Sequence, residues 1–155
     1  MSKKQSAGLL VYKKSKNKLE VFLVHPGGPF WKNKDAGAWS IPKGEFENDE
    51  MPLTAAIREF KEEIGKTIQG KFTELNPIEQ KSGKKVYAWA VEENIDASNF
   101  VSNTFGMEWP PHSGKIQSFP EVDKCAWFLI SDAREKINIA QVAFLTELEN
   151  KLMGG

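Results

Sequence analysis

The chain of 155 residues contains one cysteine, Cys125. One thiol cannot close an internal disulfide, and no CxxC pair is present to hold zinc or run thiol exchange. Cys125 stands in the apolar run CAWFLI, so it reads as a buried, inert thiol rather than a nucleophile. Histidine is nearly as scarce: His25 and His112 share no ligand spacing and read as structural or solvated. No apolar run approaches the roughly 18 residues of a membrane span, and the start MSKKQSAG lacks the apolar stretch of a signal peptide. The expectation is a soluble cytoplasmic protein with no membrane partner. Neither sign of charge is in excess, with 21 Lys and Arg against 21 Asp and Glu. That balance removes the electrostatic argument for duplex nucleic acid. The GxxxxGKS/T, HExxH and GxSxG patterns are absent as well, so three common motif classes find no support.

What is present alternates between strand and helix patterns. Residues 7–12 (AGLLVY) and 19–25 (LEVFLVH) read as strands around a turn at 15–17, a hairpin. Residues 26–38 are rich in Gly and Pro and read as loop. Trp39 to Ile41 reads as a short strand. Residues 72–80 and 85–92 flank Lys81-Ser82-Gly83-Lys84, a second hairpin. Residues 94–120 read as one long irregular segment, and 126–130 as a strand. Ser131 is placed to cap a terminal helix carrying Ala133, Ile137, Ala140, Phe144, Leu145 and Leu148. Strands on either side of a central helix, followed by a terminal helix, predict an α/β fold with a mixed sheet covered on both faces. The length fits one domain, 1–155.

Residues 44–65 (GEFENDEMPLTAAIREFKEEIG) are the most specific part of the chain. Leu53, Ala56, Ile57, Phe60 and Ile64 repeat as one apolar helical stripe. Pro52 suits the first helical turn, and Gly65 suits the position just past the last. At about 100° per residue, Glu59, Glu62 and Glu63 cluster on a face predicted to lie away from that stripe. Carboxylates spaced i, i+3 and i+4 repel by a few tenths of a kcal/mol per pair. A cation would reverse that penalty, and hard divalent ions such as Mg²⁺ favour oxygen ligands. Glutamates on a helix are by themselves more often plain solvated surface.

The full pattern is more specific than the glutamates. Gly44, five residues, Glu50, seven residues, Arg58-Glu59-Phe60, one residue, Glu62-Glu63, one residue and Gly65 resembles the Nudix box. Seven such positions would be met by ordinary composition on the order of once in a million chains of this length. The box usually closes on an apolar residue, where this chain has Lys66. The resemblance implies a Nudix-type α/β/α sandwich with a mixed central sheet, spanning residues 6–148 in element order. It implies hydrolysis of a diphosphate linked to another moiety, usually a nucleoside, with Mg²⁺ or Mn²⁺ as cofactor.

By the same resemblance, Glu59 and Glu63 would be primary metal ligands, and Glu62 a ligand or the base for the attacking water. Glu50 would bind a second metal or pair with Arg58. Arg58 would orient the carboxylates, and the Lys43 carbonyl would be a backbone ligand. Family members often add one more glutamate after the box. Glu121, six residues before Trp127, resembles that of the bacterial oxidised-nucleotide hydrolases of the family, and Glu108 is its rival. The WSIPKG run resembles the diadenosine tetraphosphate hydrolases of the family, which would bring Lys43 to the phosphates. Lys32 and Lys34 are weaker phosphate candidates. Trp31, Trp39, Phe30 and Trp109 stand in or beside loops and could stack on a base, a contact of about 1–3 kcal/mol. Trp39 reads equally well as core, and Trp89 as sheet packing. The substrate expectation is a dinucleoside polyphosphate, with a nucleoside triphosphate pyrophosphohydrolase as runner-up and a non-catalytic nucleotide sensor as the alternative class. The partner is then a small nucleotide, and the protein a monomer or homodimer.

Overall fold

The computed structural model describes residues 4–153. The central strand is β1 (Gln5–Ser15), and each of its edges is used. On one edge it pairs in parallel with β5 (Lys85–Glu92) over residues 5–12. On the other edge its two halves have different antiparallel partners. Residues 12–15 pair with β2 (Lys18–Pro26), and residues 5–8 with β3 (Lys43–Phe46). Antiparallel β4 (Thr73–Glu79) lies outside β5, and β8 (Val122–Leu129) lies outside β2. The order is β4-β5-β1-β2-β8 with β3 joined to β1, a mixed sheet.

Both faces of this sheet are covered, which explains the unbroken apolar runs of β1 and β2. Alternate residues of one strand enter opposite cores. Leu9, Val11, Phe22 and Val24 pack with Ala56, Phe60 and Ile64 of α1 (Pro52–Ile64). Leu10, Val21 and Leu23 pack with Ala133, Phe144, Leu145 and Leu148 of the C-terminal helices. The sandwich is therefore α/β/α, as the element order predicted. Among the described residues, no helix is long and apolar enough to cross a membrane.

Helix α1 begins at Pro52 and stops at Gly65, whose backbone is left-handed at φ 85°. Gly65 N–H donates to the Lys61 carbonyl at 2.7 Å, Val101 N–H to Ile64 at 2.9 Å and Asn103 N–H to Glu62 at 2.9 Å. Residues 101–103 thus satisfy the carbonyls that a helix end leaves open. Lys66, at the position where the box usually turns apolar, donates its ammonium to the Asp96 carbonyl at 3.3 Å.

Four local expectations need correction. The stretch 94–120 is not one irregular segment: β6 (Thr104–Glu108) and β7 (Ile116–Pro120) form a separate two-stranded sheet. Its alternation is weak because Phe105, Met107 and Phe119 are only half-buried. Trp39 to Ile41 does not form a strand, only isolated bridges from Ser40 to Val24 and from Trp39 to Ile137. The terminal helix is broken into α2 (Ile130–Lys136), a 3₁₀ turn (Ile139–Gln141) and α3 (Val142–Met153). Pairing with residue 39 opens it: Trp39 N–H donates to Lys136 and Asn138 N–H to Trp39. Asn138 Oδ1 then caps the new turn by accepting from Ala140 N–H at 2.9 Å. Ser131 is not the helix cap; Leu129 precedes the first turn. Fourth, Glu59 does not lie clear of the apolar face. It is buried beside Ala55, because β3 runs along that side of α1.

Candidate active site

Gly44 explains how a glutamate is buried there. An alanine Cβ at this position would lie 1.8 Å from Glu59 Oε2 and 2.0 Å from its Cδ. The missing side chain on β3 is the space the Glu59 carboxylate fills, so this glycine serves close approach rather than a turn.

Arg58 organises the acidic face. Its Nε and Nη2 both donate to the Glu50 carboxylate at 2.9 Å, a bidentate pair. Its Nη1 donates to Glu59 Oε1 at 2.7 Å and to both oxygens of Glu62 at 3.2 Å. Glu50 holds the Arg58 guanidinium more firmly charged, and Arg58 in turn lowers the Glu50 carboxyl below its usual range. Of the two roles open to Glu50, the structure shows the pairing with Arg58, which occupies both of its oxygens.

Glu63 is in the opposite condition. Its Oε1 is buried without a hydrogen-bond partner. Burial first, then the charges of Glu59 and Glu121, push its carboxyl well above the ordinary range, against a smaller opposing pull from Lys43. Glu59 is raised as well, by burial first and by Glu62 and Glu121, with Arg58 opposing. Burial and then Glu62 raise Glu121. Carboxylates from α1 and from the residue just before β8 therefore converge closely enough to oppose one another's ionisation.

A cleft of about 230 Å³ is lined by two of these carboxylates and not by Glu59 or Glu62. Trp31, Lys43, Glu63 and Glu121 line it together, although they come from four separate parts of the sequence. Burial, then repulsion from Lys84, lowers the Lys43 ammonium. An anion entering the cleft would relieve that. A larger hollow of about 750 Å³ lies between β4 and α3, lined by Asn76, Ile78, Glu147 and others, but none of the predicted site residues reaches it. Four of the predicted site residues meet at the smaller cleft. Gln80, Asn138 and Gln141 also line it and were not singled out from the sequence. Gln141 is 1% exposed and accepts from Ile41 N–H at 3.0 Å, bracing the segment that leads to Lys43. No local motif marks these three, since each reaches the cleft from a turn far along the chain.

Glu121 and Glu108 separate clearly. Glu121 N–H donates to Asn103 at 2.8 Å, and its carbonyl accepts from Gly27 N–H at 2.9 Å. Its backbone is anchored on both sides. Glu108 spends its carboxylate on the 109–114 turn, accepting from His112 N–H at 3.1 Å and Gly114 N–H at 3.2 Å. Glu121→Gln is expected to lower kcat at least about tenfold, because a rigidly placed charge is lost from the cluster. Glu108→Gln should leave kcat near wild type. Steady-state kinetics across a Mg²⁺ titration read both, and a larger kcat loss in the Glu108 variant would reverse the assignment.

Trp39 resolves as core and not as a base platform. It is 5% exposed, edge-on to Phe128 at 4.9 Å and to His25 at 5.3 Å, and its Nε1 donates to Asp35 at 2.8 Å. Trp39→Ala should therefore cost about 3–5 kcal/mol of stability, read by denaturant unfolding. A KM change without a stability change would contradict this placement. Trp31 remains at the cleft wall, beside the exposed Phe30 at 5.0 Å between ring centroids. The Lys34 ammonium lies 3.6 Å from the Phe30 ring centroid. Cys125 donates its thiol to the Ala97 carbonyl, and burial pushes that thiol up to about 11. It is not a nucleophile.

Metal fit can be judged from the side chains. The partnerless oxygen of Glu63, the Glu59 carboxylate packed over Gly44 and the mutual repulsion of the cluster all match a divalent cation with oxygen ligands. Among the described residues, no three His, Cys, Asp or Glu side chains are already drawn to metal-ligand spacing. Arg58 supplies the counter-charge to two of the glutamates instead.

The NUDIX domain pattern matches residues 2–148. Among solved structures, the C. elegans Ap4A hydrolase in a binary complex is 24% identical with a TM-score of 0.66, covering 98% of this chain and 99% of that one. The NUDIX domain of Shewanella oneidensis NrtR, complexed with ADP ribose, is 12% identical with a TM-score of 0.68, covering 99% and 90%. The E. coli ORF135 protein is 19% identical with a TM-score of 0.62, covering 99% and 94%. Compared by sequence with curated proteins, the chain has no match. At these identities the structural likeness establishes the fold.

Proposed function

The chain belongs to the Nudix family of pyrophosphohydrolases, and from that premise we propose that it is a Mg²⁺-dependent hydrolase of diphosphate linkages in nucleotides. The observation that carries the reading is the meeting of Glu63 and Glu121 with Lys43 in one cleft, against Glu59 and Glu62 on the same helix. A polyphosphate chain is repelled by such a cluster alone. Glu59, Glu63, Glu121 and the Lys43 carbonyl would hold the cation, with Glu62 at its side. When bound, a divalent cation neutralises and polarises phosphoryl oxygens.

The chain's own groups account for the remaining work. The Lys43 ammonium pairs with a non-bridging phosphate oxygen and regains the stabilisation that burial denies it. Arg58 keeps Glu59 and Glu62 in fixed rotamers, so no reorganisation is needed when substrate arrives. Glu62 accepts the proton of the attacking water as that water adds to phosphorus and the bridging P–O bond breaks. Two phosphate-bearing fragments leave. Trp31 offers a face to the base.

Within this class a dinucleoside polyphosphate is the first substrate to test. WSIPKG supports it, and so does the likeness to the C. elegans Ap4A hydrolase. A nucleoside triphosphate is the second. The test is a panel of dinucleoside polyphosphates, nucleoside triphosphates and nucleotide sugars with Mg²⁺, scored for the phosphate species released. Turnover should vanish with a chelator and return on adding Mg²⁺ or Mn²⁺. Full turnover in metal-free buffer would defeat the mechanism.

A further inference from the structure

The cleft holds about 230 Å³, less than the roughly 300–1,000 Å³ of pockets that enclose a whole drug-sized ligand. Glu63, Glu121 and Lys43 take part of it for cation and phosphate, which leaves room beside Trp31 for one base. A dinucleoside polyphosphate carries two bases on one anionic chain. Its second base has to lie outside the cleft, on the rim.

Phe30 is the one exposed aromatic side chain among the described residues, at 59%. A single exposed apolar side chain is ordinary by itself. Two neighbours set this one apart. The first is Trp31 of the cleft wall, with ring centroids 5.0 Å apart and planes at 84°, so the two rings present faces in different directions. The second is Lys34, whose ammonium lies 3.6 Å from the Phe30 centroid and 5.3 Å from that of Trp31. This cation covers one face of Phe30, and the exposure of the side chain leaves the other face to solvent. An open aromatic face can stack any base. The shared ammonium stands where a phosphate chain joining a base on Trp31 to a base on Phe30 would pass.

The ring is also held in place. Trp31 N–H donates to the Gly28 carbonyl at 3.3 Å, and Lys34 N–H to the Trp31 carbonyl at 3.0 Å, two turns in succession. Gly28 is left-handed at φ 98°, and a Cβ there would lie 3.0 Å from Phe105 Cζ. The turn that carries Phe30 is therefore seated on β6. A platform fixed before its ligand arrives loses little freedom on binding.

We propose that Phe30, with Lys34 beside it, is a second base platform outside the cleft, which favours dinucleoside polyphosphates over nucleotides with one base. This role rests on the reading of the cleft as the nucleotide site. Calorimetric titration in Mg²⁺ with methylene-bridged, non-hydrolysable analogues of diadenosine tetraphosphate and of ATP reads binding apart from turnover. Phe30→Ala should raise Kd for the dinucleoside analogue about tenfold, the size of one base stacked on a ring, and leave Kd for the ATP analogue unchanged. Phe30→Leu keeps an apolar side chain without the ring and should behave as Phe30→Ala, whereas Phe30→Tyr should bind as the unsubstituted protein does. Lys34→Gln should weaken the salt dependence of dinucleoside binding, because one ammonium–phosphate contact is lost. An unchanged Kd for the dinucleoside analogue in Phe30→Ala, or an equal rise for both analogues, overturns the platform and leaves the cleft reading standing. An unchanged salt dependence in Lys34→Gln overturns the part given to Lys34. If neither analogue binds the unsubstituted protein, the nucleotide reading of the cleft fails and the platform with it.

Discussion

Glu63→Gln should lower kcat by at least about a thousandfold while the protein folds normally. The substitution keeps the shape of the side chain and removes a charge. Glu63 is the carboxylate with a buried, partnerless oxygen, and it lines the cleft beside Lys43 and Glu121. Glu59→Gln should behave alike, and the 2.7 Å bond from Arg58 would lose its charge assistance. The same Glu63 variant has a second signature. Its carboxyl is raised well above its ordinary value of 4.5 by burial and by its neighbours. A carboxyl raised in the folded state binds its proton more tightly there than in the unfolded chain. The stability this contributes is complete below about 4.5 and is lost as pH rises through the raised value. In metal-free buffer the Tm of the unsubstituted protein should therefore fall more steeply than that of Glu63→Gln as pH rises from about 4.5 to the raised value, and the two profiles should run parallel above it. Near-normal turnover in both glutamine variants would remove these residues from the catalytic machinery. Tm profiles parallel throughout would remove Glu63 from the repelling cluster.

Gly44→Ala should be nearly as damaging, with a different signature. The added methyl would sit 1.8 Å from Glu59 Oε2, a separation no structure tolerates. Either β3 lifts from β1, where Gly44 pairs with Ala7, or the Glu59 carboxylate leaves its place against Arg58. The first costs about 1–3 kcal/mol of stability, and the second at least about a hundredfold in kcat. A second substitution separates them. Glu59→Asp shortens the side chain by one methylene, so Gly44→Ala with Glu59→Asp should regain Tm but not turnover. Recovery of neither would show that the strand, and not the carboxylate, has moved. Full activity in Gly44→Ala alone would contradict the packing of Glu59 over the glycine.

The helix and its carboxylates were legible because both are local. Pro52, Gly65 and an apolar stripe at helical spacing define α1 within a few turns, and Arg58, Glu59, Glu62 and Glu63 need no distant partner to share that helix. The two hairpins were legible for the same reason, since a turn and two alternating runs stand next to each other. The β6–β7 hairpin was not, although Phe105, Met107 and Trp109 alternate. It stands apart from the main sheet, so its alternation separates half-buried from exposed residues and gives a weak contrast.

The break in the terminal helix was hidden too. The residues from Ala133 to Leu148 keep a helical repeat through it, and the cause is a bridge to Trp39 nearly a hundred positions earlier. Trp39 itself could be read as platform or as core until Phe128 and His25 were found against its ring. The proposal of Glu121 over Glu108 depends on contacts across the fold: residues 27 and 103 hold the Glu121 backbone at the cleft, while Glu108 spends its carboxylate on its own turn. The sequence by itself determined the chemistry: a helix bearing glutamates, an arginine to hold them and a glycine before them. Tertiary structure alone decided which oxygens are spoken for and which are left open to a ligand. Hydrogen bonds and burial depend on atoms brought together across the sheet, and local spacing carries no record of them.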